Sequence, residues 1–325
     1  MMVTWGGLIG IVSGMNMEGI SVTLNAAKSS VPSGSATPVS LLAREVLQYA
    51  KNIDEAVKII RERKTFVSES FLIGSANDNK AVIVEKTPES FDVYDSHENY
   101  IVCTNHYQGS ELINEKPNQD QMSQSASVYR YQRIMELLGR VDKNTPQETV
   151  AILRNQLGLH DKFIGWGNEK AVNQLICHHS VVFEPQRKMV WVSTSPWQLG
   201  EYVAYDLDKI FSMKGLAQDK EIYDSLNVIA PDTFITTSGY SNFVQFRKLK
   251  EQIHNGEDVD INLLVKSNPE YYNTYVVAGD YMFKRNQYKQ AKGFYETALA
   301  KEIATKTEEL YIKNQIEDCL NESSK

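Results

Sequence analysis

The chain has 325 residues and a mass of 36.9 kDa, about twice the usual length of a single domain. Hydrophobic residues make up 42% and charged residues 23%, a globular composition that excludes disorder over most of the length. The net charge of -7 and the lack of a basic block argue against a nucleic-acid binder. The three cysteines show no CxxC spacing, which excludes a disulfide scaffold and a four-cysteine zinc site.

The first seventeen residues carry no charge, yet they do not fit a membrane or export segment. Glycines interrupt the apolar run, and no Lys or Arg precedes it. A signal peptide needs a basic start, and a membrane span needs about 20 apolar residues. We therefore predict no membrane span, and two core strands over residues 8–14 and 19–25, followed by a loop from Ser29 to Pro38.

Alternating and helical patterns then follow each other in groups. Apolar residues of 53–60 recur at intervals of three and four, which predicts a helix with Asn52 as its N-cap. The same spacing predicts a helix over 131–138, and another follows Pro146. Further strands are predicted over 71–76, 81–86, 91–95, 100–105, 179–184 and 189–194, and a connecting region over 203–265. Grouped strands and helices indicate an α+β domain over residues 1–265, with two antiparallel sheets between helices.

Residues 266–325 differ in character from the rest. Small residues at Gly279, Ala291 and Ala298, with aromatic residues between them, are typical of one tetratricopeptide helix pair. A third helix would carry an apolar face that includes Ile312 and Cys319. Because one such repeat cannot bury its own apolar face, we expect this tail to pack on the main domain or on a second copy of the chain.

The segment GMNMEGISVTLN at 14–25 contains two asparagines that are open to two interpretations. Asn16 and Asn25 could be a turn residue and a strand terminator, the ordinary uses of asparagine. Alternatively, an asparagine amide could donate a hydrogen bond to a developing oxyanion, worth roughly 2.7–4 kcal/mol per donor.

The segment IVCTNHYQ at 101–108 suggests a cysteine–histidine hydrolase, with Cys103 as nucleophile and His106 as base. Strand geometry argues against this, because alternating side chains would place Cys103 with Asn105 and Thr104 with His106. A small buried cysteine that acts as a hydrophobic residue is the simpler interpretation.

Arg130 opens an amphipathic helix after a serine-rich approach. Such an arginine is usually solvated or paired with a neighbouring carboxylate, and a buried arginine that orients catalytic groups is rarer. No HExxH, phosphate-binding glycine loop or EF-hand pattern occurs, and adjacent His178 and His179 would point to opposite faces of a strand. We therefore predict no metal and no cofactor.

Three segments in order, GMNMEGISVTLN, CTNH and SxSxxR, resemble the penicillin acyltransferase-like branch of the N-terminal nucleophile hydrolases, which is related to the choloylglycine hydrolases. The resemblance runs from about Thr4 to Tyr205. It implies a four-layer αββα sandwich and a small acyl amide or thioester as substrate. In such enzymes a cysteine freed by self-cleavage attacks the carbonyl, and its own α-amino group acts as the general base.

The resemblance also implies a role for three residues of this chain. Asn25 would help to form the oxyanion hole, Asn105 would contact the reacting centre, and Arg130 would order the site by ion pairing. The family's nucleophile lies upstream of GMNMEG, so the sandwich is expected to be N-terminally incomplete and this chain inactive alone. A truncated chain, a pseudoenzyme, or assembly with a separate N-terminal segment would each explain this, and the compartment cannot be read from the sequence. The alternative function is an inactive scaffold that recruits a partner through its helical tail.

Overall fold

A computed structural model describes residues 1–28, 34–215 and 221–323, so residues 29–33 of the predicted 29–38 loop lie outside the described residues. Within these ranges the strands form two antiparallel sheets, one of six strands and one of three. The first sheet has its strands in chain order: β1 (Met2–Val3), β2 (Ser13–Met15), β3 (Ile20–Ala26), β4 (Glu69–Ser75), β5 (Lys80–Lys86) and β6 (Phe91–Tyr94). The second contains β7 (Val181–Glu184), β8 (Met189–Ser193) and β9 (Tyr202–Asp206).

Helices separate and follow these strands. They are α1 (Val39–Tyr49), α2 (Ile53–Glu62), α3 (Lys116–Gln124), α4 (Ser127–Leu138), α5 (Pro146–Leu153), α6 (Leu207–Ser212), α7 (Ser238–His254), α8 (Ile261–Ser267), α9 (Tyr272–Phe283), α10 (Tyr288–Leu299) and α11 (Lys306–Ser323). Across the described ranges, every helix is too short or too polar to cross a bilayer.

The sheets and helices form alternating layers. Helices α1 and α2 cover one face of the first sheet, where Val46 and Ile60 pack in one core with Ile73. Met15 of the first sheet packs against Val190 of the second sheet. On the far face of the second sheet, other side chains of its strands pack against α5. The prediction of a mixed α and β fold with antiparallel sheets is confirmed.

The predicted start of α2 is confirmed, whereas the first predicted strand differs in its bounds. Helix α2 begins as expected, because the side chain of Asn52 accepts a 2.9 Å hydrogen bond from the backbone N–H of Glu55. The strand predicted over 8–14 is shorter in the structure and lies at Ser13–Met15. The backbone N–H of Ile11 instead donates to the carbonyl of Ser40 on α1, which takes residue 11 out of the sheet.

Two predictions for longer segments are wrong. Residues 100–105 form no strand, since side chains of Ser96 and Gln108 bind the carbonyls of Tyr100 and Val102 in place of a neighbouring strand. Residues 203–265 were expected to form a connecting region. In the structure they contain the whole of α6 and α7 and most of β9 and α8.

Helices α7 to α11 share one apolar core. Within it, α9 and α10 form the expected helix pair, and a Cβ added at Gly279 would lie 2.6 Å from the ring of Tyr295. The glycine therefore permits the close approach of the two helices. The likeness of this tail to a tetratricopeptide repeat stays a prediction, as does the domain boundary at residue 265, a position inside α8.

Candidate functional site

An open polar cleft of about 370 Å³ lies beside the end of β3. Its walls come from β3, the loop before α3, helices α3 and α4, the segment after α5 and the start of α11. The lining residues are Ala26, Ala27, Lys28, Asn105, Gln121, Ser125, Ala126, Arg130, Glu169, Gln174 and Thr305. No lining side chain is aromatic, and the aliphatic ones are alanines, so polar and small apolar groups line the cleft together.

Asn105 is held in the cleft wall by three hydrogen bonds. Its backbone N–H donates to the Ser127 hydroxyl at 2.8 Å, and its side-chain Nδ2 donates to the carbonyl of Ala26 at 3.0 Å. Its Oδ1 accepts a 2.6 Å bond from Nη2 of Arg130. An asparagine amide has two N–H donors, and one is used here within the described residues. The second can bind a ligand oxygen.

The spacing of Ser127 and Arg130 at the start of α4 explains how Asn105 is held. Ser127 and Arg130 are three residues apart in the first turn, so their side chains lie on the same face of the helix. One binds the backbone of Asn105 and the other its side chain. The hydroxyl of Ser125 accepts the N–H of Ser127 at 3.2 Å and supports the same turn. Ser127 and Arg130 of the SxSxxR pattern therefore fix the position of Asn105, the asparagine that follows Thr104.

His106 contacts the hydroxyl of Ser127 from the interior of the protein. Its Nδ1 lies 2.8 Å from the Ser127 hydroxyl and 3.1 Å from that of Thr104, and the ring is buried. Burial and the charge of Arg130 lower the pKa of His106, which favours the neutral imidazole.

Arg130 is a half-buried cation with no carboxylate within salt-bridge distance in the part of the chain that the structure describes. Its Nη1 donates to the backbone carbonyl of Glu169 at 2.8 Å, and its other bond goes to Asn105. Burial lowers its pKa, and the charge of Glu169 opposes that effect. The ion pair that the resemblance implied for Arg130 is not formed by any described residue.

Asn25 lies near this cleft but outside its lining. It pairs with Ser70 in the sheet and directly precedes Ala26, whose carbonyl Asn105 binds. Ile20 and Val22 of β3 face α1 and α2. Because strand side chains alternate, Asn25 points to the opposite face, toward the second sheet. The structure thus brings Asn105 and Arg130 into contact and places the backbone of Asn25 beside them.

Cys103 does not have the environment of a nucleophile. Burial, followed by the nearby charge of Glu85, raises the pKa of its thiol to about 12. His106 directs its Nδ1 to Thr104 and Ser127. The cysteine–histidine dyad considered from the sequence is therefore not supported by this geometry.

Glu85 is a fully buried carboxylate behind the cleft wall. It accepts the backbone N–H groups of Gln108 at 2.7 Å and Gly109 at 3.0 Å, which fixes the chain just after Asn105. Burial raises its pKa to about 7, although these two bonds oppose the shift. Sequence reasoning did not identify Glu85, Glu169 or Thr305, because none of them belongs to a pattern in its own segment. Among the described residues, no cluster of His, Cys, Asp and Glu could hold a metal ion.

The comparisons with known proteins place the chain in a family. The model of the acyl-coenzyme A:6-aminopenicillanic acid acyl-transferase family matches residues 3–195, more than half of the chain. The chain belongs to this family. The matched range contains Asn25, Asn105 and Arg130 and ends before α6 to α11.

The solved structures that match do so at low identity. A Caenorhabditis elegans N-acylethanolamine-hydrolyzing acid amidase ortholog is 19% identical over 57% of this chain and 74% of its own, with a TM-score of 0.38. A variant of the conjugated bile acid hydrolase from Clostridium perfringens is 13% identical over 64% of this chain and 76% of its own, with a TM-score of 0.39. No curated protein matches significantly. Family membership therefore rests on the family model alone.

Proposed function

We propose that this chain forms the substrate-binding and oxyanion-stabilising part of an N-terminal nucleophile amidohydrolase or acyltransferase that acts on small acyl amides or thioesters. The observation that carries this proposal is the fixed position of Asn105, which Ser127 and Arg130 hold at an open cleft with one amide hydrogen free. Membership of an acyl-transferring family supports the reaction class.

The proposed chemistry is acyl transfer through a thioester. A thiol gives its proton to an α-amino group, whose ordinary pKa of about 7.7–8.0 suits a base near neutral pH. The thiolate then forms a bond to the carbonyl carbon, and the carbonyl oxygen becomes an oxyanion. The amide of Asn105 stabilises that charge, while the same role for Asn25, whose side chain lies outside the cleft lining, stays a prediction. The C–N or C–S bond breaks, the leaving group takes the proton, and water or an amine later receives the acyl group.

We further propose that the sulfur nucleophile comes from a segment outside these 325 residues. Of the three cysteines in the chain, Cys103 has a thiol pKa raised to about 12. Cys177 is exposed, and partial desolvation by its surroundings raises the pKa of its thiol. Cys319 is buried on α11 in the core of the C-terminal helices. None of the three has the lowered pKa that activates a thiol.

The test is an assay of this polypeptide, and of a longer product of the same gene that includes upstream codons, on acyl amides and acyl thioesters. We expect no turnover from this chain and turnover from the longer product. In the latter, Asn105→Ala should lower kcat/KM by about 10²–10³, whereas Asn99→Ala, at an exposed position, should not. Turnover by this chain that is lost in Cys103→Ala would contradict the external nucleophile.

The alternative function, a scaffold that acts through the helical tail, stays a prediction, as does association of two copies through α9 to α11. A longer product that shows no turnover on either substrate class would favour the scaffold. A concentration-dependent mass of this chain by analytical ultracentrifugation would favour the association.

A further inference from the structure

The C-terminal tail, residues 266–325, contacts the segment of the chain that binds Arg130. This segment lies between α5 and β7, and the contact is made by Glu302 in the turn between α10 and α11. Oε2 of Glu302 lies 2.8 Å from Nζ of Lys162, and its Oε1 lies 2.7 Å from Nζ of Lys170. One carboxylate of the tail therefore joins two lysines of the part of the chain that the family model matches.

The backbone of Glu302 adds a third contact at the same place. Its carbonyl accepts a 2.8 Å hydrogen bond from Nδ2 of Asn168, a side chain that is fully buried. Oδ1 of Asn168 in turn accepts the backbone N–H of Lys170 at 3.0 Å, which closes a tight turn around Glu169. Both sequence neighbours of Glu169 are therefore bound to Glu302. Because the Lys170 and Glu302 side chains are only 19% and 21% exposed, water weakens their ion pair less than it weakens a surface pair.

Glu169 is the residue through which this contact reaches the cleft. Its backbone carbonyl accepts Nη1 of Arg130 at 2.8 Å, and Nη2 of the same guanidinium donates to Oδ1 of Asn105 at 2.6 Å. That carbonyl shares a planar peptide unit with the N–H that Asn168 accepts, so Asn168 sets the direction of the carbonyl. A series of direct contacts thus runs from Glu302 through the turn to Arg130 and Asn105.

We propose that Glu302 is a positioning residue of the site: it holds the turn at 168–170 and thereby keeps the guanidinium of Arg130 in place to orient the amide of Asn105. The tail is then part of the site, even though it lies outside the residues that the family model matches. Thr305, three residues further along the chain, lines the cleft itself, which supports this role. The effect of Glu302 on turnover rests on the proposed function, whereas its effect on the two side chains can be measured without turnover.

The first experiment records the side-chain NMR signals of Arg130 and Asn105 in the full chain. Glu302→Gln keeps the size of the side chain but removes the charge that binds both lysines, so we expect these signals to shift and broaden. Glu309→Gln is the matched control, because Glu309 also joins two lysines, at 2.9 and 2.6 Å, but within α11, and it should leave the signals unchanged. In Arg130→Gln, adding Glu302→Gln should no longer alter the Asn105 signals, because the connection is already broken. Unchanged signals in Glu302→Gln, equal changes in Glu309→Gln, or a persisting change at Asn105 without Arg130 would each overturn the proposal.

Lys170→Gln keeps the proposal testable if Glu302→Gln fails to fold. It breaks the 2.7 Å ion pair from the other side, so the same signals should shift, and unchanged signals would overturn the proposal. In the longer product of the gene, Glu302→Gln should lower kcat about tenfold with little change in KM, and Glu302→Asp should restore part of the loss. An equal fall in kcat in Glu309→Gln would contradict the role of Glu302. A longer product without turnover would contradict the proposed function instead, and the NMR comparison would still decide whether Glu302 positions the two side chains.

Discussion

Two neighbouring regions along α4 hold a positive charge in different surroundings, one fully buried at Arg133 and one half-buried at Arg130. Around Arg133, two carboxylates and the side chain of Asn155 bind the guanidinium. Around Arg130, one turn earlier, the acceptors are an amide and a backbone carbonyl, and the surroundings are an open cleft. Arg133 is fully buried and paired with two carboxylates, whereas Arg130 stays partly exposed and has only a longer-range attraction to Glu169.

The difference separates a structural role from a binding role. A buried cation costs several kcal/mol unless it is paired, and a protein that needs it for stability supplies the partner itself. The carboxylates beside Arg133 do so. Among the described residues, Arg130 has no carboxylate within salt-bridge distance, and the charge of Glu169 stabilises it from farther away.

Arg133→Leu should be strongly destabilising. The substitution removes a fully buried side chain together with its bonds to Asn155, Glu136 and Asp161. We expect the free energy of unfolding to fall by about 3–5 kcal/mol, measured by urea denaturation. Arg140→Leu is the control, since Arg140 shares both carboxylates but is exposed, and it should change stability little. Equal effects of the two substitutions would show that burial is not what makes Arg133 important.

Glu85 is a fully buried acidic side chain, and no described side chain forms a salt bridge with it. Its pKa is raised from 4.5 to about 7, so the folded state holds this proton more tightly than the unfolded state. Its contribution to stability is therefore fully present below pH 4.5 and is lost as the pH rises through about 7, a total of about 3 kcal/mol. Glu85→Gln should flatten the fall in unfolding free energy between about pH 5 and 8.

The control for this measurement is Glu98→Gln, because Glu98 is an exposed carboxylate of the same part of the chain. It should leave the pH dependence as in the unmodified protein. The contrary outcome is a free energy of unfolding that depends on pH in the same way in Glu85→Gln and in the unmodified chain. In that case Glu85 does not titrate in this range, and its burial does not explain the pH dependence.

The sequence predicted a helix that begins near Arg130, and the family resemblance pointed to Asn105 and Arg130; the contacts between them were not predicted. Three-residue spacing places Ser127 and Arg130 on one helix face, and the TN pair precedes a histidine that packs under the same helix. The cap at Asn52 is equally local. Of these features, the helix start and the cap were predicted, because both follow from neighbours along the chain.

The remaining features depend on contacts between distant segments. Glu169 and Thr305 enter the cleft from segments that are far apart along the chain, and neither has a motif. Residues 100–105 alternate like a strand, but no described strand pairs with them. Helix α7 was not predicted from the sequence. Its buried residues Phe243, Phe246 and Leu249 recur at intervals of three only, whereas the apolar face of a typical helix combines intervals of three and four residues.

Arg130→Gln should destabilise the fold much less than Arg133→Leu does, although Arg130 is central to the proposed site. The fold loses two hydrogen bonds to neutral groups, each worth about 1 kcal/mol, and it no longer has to desolvate a charge. We therefore expect the free energy of unfolding to change by about 1 kcal/mol, well below the loss in Arg133→Leu. A loss as large as that of Arg133→Leu would mean that both arginines stabilise the fold, and the contrast between the two regions would disappear. A small loss would show that the charge of Arg130 is not kept for the stability of the fold.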